Sequence, residues 1–116
     1  MKFMKWNTLN SPEQLVQLRE ESKEKRILIF KHSTRCNISR TTLDRLERNW
    51  NDAEMTHIKP YFLDLLSYRN ISNQIAEEFG VEHESPQILI IENQRAVYDR
   101  SHFEIDYHQI KEAVKN

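Results

Sequence analysis

The sequence predicts a single α/β domain in which a mixed β-sheet lies between helices. Three observations point there. The segments Ile27-Leu28-Ile29-Phe30 and Ile88-Leu89-Ile90-Ile91 carry no polar alternation, as strands buried on both faces do. Segments with helical spacing separate the strands, so a strand, helix, strand order appears, and strands joined that way run parallel. The chain has 116 residues, 38% of them hydrophobic and 30% charged, which fits one globular domain with no disordered tract. At that length a domain buries roughly two-thirds of its unfolded surface, enough for one ordinary core.

Ser11-Pro12-Glu13-Gln14 has the form of a helix start: serine as N-cap, proline at the first helical position, glutamine closing a capping box. Leu15, Val16 and Leu18 begin an apolar stripe, and Lys23-Glu24-Lys25-Arg26 ends the helix. Residues 27–30 are the first strand. Residues 31–35 then read as a polar turn into a helix that starts near Cys36 and carries Leu43, Leu46, Trp50 and Ala53 on one face. Tyr61-Phe62-Leu63 with Leu65-Leu66 gives the second strand, and Pro60 at its start predicts an edge position. Ile71, Ile75 and Phe79 space a third helix. Gly80, the only glycine in the sequence, stands where a left-handed residue ends it. A loop through Ser85-Pro86 leads to a strand over residues 87–91. Residues 92–95 then turn the chain into Ala96-Val97-Tyr98 as a hairpin. The last helix carries Tyr107, Ile110 and Val114 on one face. Ser101 with Glu104 and Asp106 with Gln109 both fit its capping box, and we place the cap at Asp106. Helix, βαβ, helix, ββα is the thioredoxin-like order, a three-layer sandwich formed by one domain over residues 1–116.

Charge and hydropathy exclude several function classes. Seventeen basic against eighteen acidic residues leave a formal net charge of −1, so no global field draws the molecule to nucleic acid or a membrane. The longest apolar runs are four residues, far short of a bilayer span, and residues 1–10 lack the apolar core of a signal peptide. A cytoplasmic monomer is the expectation.

The single cysteine is the sharpest constraint. With only Cys36, no disulfide and no thiolate cluster can form within one chain, so any redox chemistry must join Cys36 to a second molecule. A lone cysteine is ordinarily a small buried hydrophobe, yet three features favour a reactive thiol. Cys36 lies where a buried strand feeds a helix, and the positive end of a helix dipole favours a thiolate. From Lys31 to Leu43 there are Lys31, Arg35, Arg40 and His32 and no acid, although a solvated basic turn explains any one of them equally well. Cys36-Asn37-Ile38-Ser39 puts a hydroxyl where dithiol oxidoreductases carry a resolving cysteine. Ser39 can hydrogen-bond a thiolate without attacking a disulfide, or can simply cap the first helical turn. Ser85-Pro86 stands where this fold places a cis-proline facing the reactive cysteine. The preceding backbone there can pair with an extended substrate. His32, His57, His83, His102 and His108 are 25, 26, 19 and 6 residues apart and offer no metal-ligand spacing, so no metal site is expected. His83, on the proline loop, is either a surface residue or faces the thiol.

Lys31-His32-Ser33-Thr34-Arg35-Cys36, then Ile38-Ser39, and later His83-Glu84-Ser85-Pro86-Gln87, closely resemble the monothiol bacilliredoxin (YtxJ-like) family. The resemblance extends to Trp6, Ser11 to Gln14, Leu63-Asp64 and Ser72-Asn73, nearly the whole chain. It implies a thioredoxin-like monothiol oxidoreductase that removes bacillithiol, a small thiol of some Gram-positive bacteria, from mixed disulfides on client proteins. Cys36 would be the nucleophile. Thr34, Arg35, Asn37, Ser39, Ser85 and Pro86 would bind substrate, with Lys31, His32 and Arg40 in electrostatic support. Bacillithiol bears malate carboxylates, to which these cations are suited. It would be a co-substrate, with no resident cofactor, and the partners would be bacillithiolated clients and bacillithiol. The family usually has proline directly after the cysteine; here Asn37 stands there. Two rivals remain. One is an iron–sulfur carrier of the monothiol glutaredoxin type, against which the Asn-Ile pair and the near absence of glycine count. The other is a non-catalytic interaction domain with an inert Cys36.

Overall fold

The computed structural model describes residues 4–115. Residues 1–3 and 116, which belong to the predicted 1–116 domain and in part to the 1–10 segment, lie outside the described residues. In chain order come β1 (Asn7–Thr8), α1 (Pro12–Glu21), β2 (Arg26–His32), α2 (Asn37–Asn49), β3 (Ile58–Asp64), α3 (Arg69–Phe79), β4 (Gln87–Glu92), β5 (Arg95–Ser101) and α4 (Tyr107–Ala113). A 3-10 turn, His102–Glu104, joins β5 to α4. The strands form one mixed sheet in the order β1-β3-β2-β4-β5. β2 runs parallel to β3 and antiparallel to β4, and β5 is antiparallel to β4. The predicted order of helix, βαβ, helix, ββα is the one found. β1 is an addition, since two residues are too short to carry a readable period.

The apolar runs of β2 and β4 follow from two cores, one on each face of the sheet. Leu28, Phe30, Ile88 and Ile90 meet Leu46 of α2, Trp50 just beyond it, and Tyr107 and Ile110 of α4. Ile27, Ile29, Leu89 and Ile91 meet Leu15 and Leu18 of α1 and Ile71 and Ile75 of α3. Each such side chain, fully buried, contributes about 1.5–3 kcal/mol, so the two central strands anchor both layers. Two residues at the C-terminal end of β2 break the run. Lys31 continues the side of Ile27 and Ile29, His32 the side of Leu28 and Phe30, and both are buried.

That pair corrects the predicted polar turn. Lys31 and His32 belong to the strand, and the turn begins at Ser33. Other boundaries shift for local reasons. Val16 is 65% exposed, so α1 buries only Leu15 and Leu18. α2 ends at Asn49, and Ala53 lies exposed in the turn beyond. β3 begins at Ile58, three residues before the predicted Tyr61, and ends at Asp64, leaving Leu65 and Leu66 in the following turn. β3 is not an edge strand, because β1 pairs beside it; that pairing engages only Tyr61 and Phe62, so Pro60, which lies opposite Leu28 of β2, has no β1 residue beside it. Gly80 follows α3 at φ +66°, the left-handed conformation glycine adopts without a Cβ clash. Asn93 and Gln94 turn the hairpin with φ of 52° and 67°. The α1 capping box is present, with Gln14 Oε1 accepting from the Ser11 N–H at 3.1 Å. Asp106 caps α4, accepting from the Gln109 N–H at 3.1 Å, whereas Ser101 precedes the 3-10 turn.

Candidate functional site

Cys36 is the N-cap of α2, with extended φ and ψ of −106° and 119°. Its N–H donates to the Ser33 carbonyl at 3.2 Å and its carbonyl accepts from the Arg40 N–H at 3.1 Å, so the residue is fixed between turn and helix. The thiol is half-buried at the N-terminus of a 13-residue helix, where orphan N–H groups carry partial positive charge. Thr34, Arg35 and Asn37 around it are exposed. Arg40 closes the turn: Nη1 donates to the Thr34 carbonyl at 3.1 Å, and Nη2 donates to Asn37 Oδ1.

Ser39 has a different occupation from either one predicted. It is fully buried, its Oγ lies 2.7 Å from His32 Nδ1, and it accepts from the Ser33 N–H at 3.1 Å. With the Ser33 N–H as donor, the serine proton is free to point at the imidazole nitrogen. Burial pushes the His32 pKa below its ordinary value. Asp64 opposes that shift and Arg40 adds to it, so the balance favours the neutral ring. Burial works against the predicted part of His32 as a cation beside Cys36. Instead His32 locks Ser39 beneath the helix start, flanked by the rings of Phe30 and Phe62 with centroids 6.2 and 5.4 Å away.

Lys31 is likewise not brought to the cysteine. Its side chain lies on the opposite face of the sheet from α2, where Nζ donates to the Ser72 carbonyl of α3 at 3.4 Å and faces His83 Nδ1 at 3.4 Å. Burial pulls its pKa down to about 8. The cationic island of the sequence thus reduces, near the thiol, to Arg35 and Arg40. Nor is it free of acids in space. The parallel register sets Asp64 beside His32, and Glu84 lies on the proline loop, 3.6 Å from His102 Nδ1.

The Ser85-Pro86 bond is cis. Continuing the β2–β4 register one residue past Lys31 and Gln87 puts Pro86 level with His32, at the same end of the sheet as Cys36. The Pro86 carbonyl accepts from the His102 N–H at 3.0 Å. Ser85 Oγ is buried and has no hydrogen-bond partner among the described residues. Sequence reasoning missed Asp64, Ser72 and Ser33 as members of this region. For Lys31 and His32 a signal existed: the strand alternation of residues 27–30, carried two residues further, assigns them to opposite faces.

Asn37 is the first residue of α2, the position where a proline is tolerated. Cys36 already has the extended backbone that a following proline demands. Asn37→Pro should therefore keep stability within about 1 kcal/mol of wild type in urea unfolding, while releasing Arg40 from one of its two acceptors. A loss of several kcal/mol would place the helix start before Cys36.

The sequence matches the family described as monothiol bacilliredoxin BrxC over residues 7–110. Among solved structures, one described as a proposed oxidoreductase with a thioredoxin fold is 31% identical, with 91% of this chain and 90% of that one covered and a TM-score of 0.78. Thioredoxin of Malassezia sympodialis superposes with a TM-score of 0.75 at 13% identity, covering 97% and 90% of the two chains. Thioredoxin of Trypanosoma brucei brucei does so with 0.74 at 12% identity, covering 98% and 91%. The two thioredoxins speak to the fold alone. It is the predicted α/β sandwich.

Proposed function

This chain belongs to the monothiol bacilliredoxin family, and on that premise we propose that it removes bacillithiol from mixed disulfides on client proteins through Cys36. It is a thiol oxidoreductase of the thioredoxin fold. One observation carries the monothiol reading. Cys36 is the only cysteine, and the position one helical turn on holds Ser39, buried and hydrogen-bonded to His32 and Ser33. No group of this chain can resolve a disulfide on Cys36.

The exchange then has two halves. The Cys36 thiolate attacks the bacillithiol sulfur of the mixed disulfide; the old S–S bond breaks, and the client leaves as a thiolate that takes a proton from solvent. The product is Cys36 disulfide-bonded to bacillithiol. An external thiolate must attack that bond to return Cys36, so the partners are bacillithiolated clients and a reducing small thiol. The exposed guanidinium of Arg35 and that of Arg40, tied to Thr34 and Asn37, suit a thiol bearing carboxylates. Ser85 and Pro86, at the same end of the sheet, would receive the extended client backbone. We further propose that the protein acts as a cytoplasmic monomer without a resident cofactor; no helix among the described residues is long and apolar enough to cross a membrane.

The test is intact mass. Mixing the reduced protein with a bacillithiolated client should give free client and a protein heavier by one bacillithiol, in equal amounts. Recovery of the original mass should require added thiol. Client release without any adduct on the protein would overturn the mechanism.

A further inference from the structure

The face of the sheet opposite Cys36 holds an unusual group. Lys31 is fully buried on the β2 face whose other positions are Ile27 and Ile29, beside an apolar cluster, and among the described residues no carboxylate pairs with it. A buried ammonium without an anionic partner is costly, and an aliphatic side chain would fill the place more stably. Its contacts show what the charge is used for. Nζ donates to the Ser72 carbonyl and approaches His83 Nδ1, both at 3.4 Å, while Ser72 Oγ lies 3.2 Å from the same ring nitrogen. An ammonium can only donate, so His83 Nδ1 is the acceptor and the ring proton sits on Nε2. Burial, with Lys31 and Arg69 nearby, holds the His83 pKa below its ordinary value against the pull of Glu84, which keeps Nδ1 unprotonated.

His83 is two residues before Ser85. The loop it belongs to is also pinned by Gln87 Nε2, which donates to the Glu82 carbonyl at 3.0 Å, and by the His102 N–H on the Pro86 carbonyl at 3.0 Å. With Glu82 and His83 held on one side and Pro86 on the other, only Glu84 and Ser85 span the gap. Their backbone is set by both anchors.

We propose that Lys31 and His83 are positioning residues for the de-bacillithiolation proposed above: from the far face of the sheet the buried ammonium holds His83, and His83 holds the loop that presents Ser85 and Pro86 to an extended substrate. Neither residue touches the exchanging sulfurs. Ser85 Oγ is itself buried with no hydrogen-bond partner among the described residues, so what the loop presents there is backbone.

The test compares wild type, His83→Ala and His83→Asn on two probes: a peptide carrying bacillithiol in a mixed disulfide, and 5,5′-dithiobis(2-nitrobenzoate), a small disulfide with no backbone to dock. With free bacillithiol added to regenerate Cys36, His83→Ala should raise KM for the peptide about ten-fold with kcat nearly unchanged, because only the docking geometry is lost. Its rate with the small disulfide should match wild type. His83→Asn should recover most of the KM, since Asn Oδ1 can accept from Lys31 where Nδ1 did. An unchanged KM in His83→Ala overturns the proposal, as does an asparagine variant as impaired as the alanine one, which would assign the function to Nε2. Amide hydrogen exchange over residues 82–87 reads the same tie without any substrate. It should speed up in His83→Ala and return in His83→Asn; if it does not change in His83→Ala, the proposal fails. A wild type that reacts with the small disulfide but not with the peptide would instead sink the bacillithiol reading, leaving the exchange measurement to judge the positioning.

Discussion

Under the proposed de-bacillithiolation, Ser39→Cys should convert a protein that stops at its bacillithiol adduct into one that sheds it. The substitution sets a thiol one helical turn from Cys36, within the reach that a C-x-x-C disulfide requires. It also sets that thiol against a base already in place, because Ser39 Oγ lies 2.7 Å from His32 Nδ1 and burial favours the neutral imidazole. His32 can take the proton of the introduced thiol; the resulting thiolate then attacks Cys36 Sγ, the bond to bacillithiol breaks, and bacillithiol leaves as the thiolate. Intact mass without added thiol should show the adduct replaced by a species two hydrogens lighter than the reduced protein, formed at least about a hundred-fold faster than adduct loss in wild type. Persistence of the adduct in the variant would mean that position 39 does not reach the sulfur. Equal, unaided loss in wild type would remove the monothiol mechanism itself.

Lys31→Met should make the protein more stable and less active at once. The lysine is wholly buried, and burial lowers its folded pKa to about 8, against about 10.4 in an unfolded chain. The unfolded state therefore binds the proton more tightly. The penalty is fully present below pH 8, shrinks as pH rises from 8 toward 10.4, and vanishes above. Methionine fills a similar volume without the charge, so the variant should gain about 2 kcal/mol over wild type in urea unfolding at pH 7. The difference should narrow steadily between pH 8 and 10. Peptide KM should rise in the direction expected for His83→Ala but by less, since His83 loses the ammonium and keeps only the Ser72 hydroxyl at Nδ1. A destabilised Lys31→Met would show that the ammonium's contacts outweigh its desolvation. A stabilised variant with wild-type KM would leave the lysine with no part in the site.

The two outcomes depend on features that differ in how far they could be read from the chain. The place of Cys36 was legible, because a strand buried on both faces followed by helical spacing leaves only one junction between them. So was the monothiol character, which is a matter of counting cysteines. The caps at Ser11 and Asp106 and the left-handed Gly80 were legible because each is a local steric or hydrogen-bonding requirement carried by a few adjacent residues. The end of β2 was misplaced because Lys31 and His32 are polar, and a pattern of hydropathy ends a strand where the polarity begins, even when the strand continues into the interior.

What the sequence by itself determined is the order of elements, the two-faced burial of the central strands, and the presence of one thiol at a helix start. These follow from periodicity and composition, which act over a few residues. Only the tertiary structure decided which side of the sheet each cation serves and what each polar group meets: Lys31 with Ser72 and His83, His32 with Ser39, and Asp64 beside His32. The reason is geometric. Successive side chains of a strand point to opposite faces, so two neighbours in the chain enter different environments. The partners waiting there come from segments up to 52 residues away, brought into register by backbone hydrogen bonds that carry no signature in the side chains themselves.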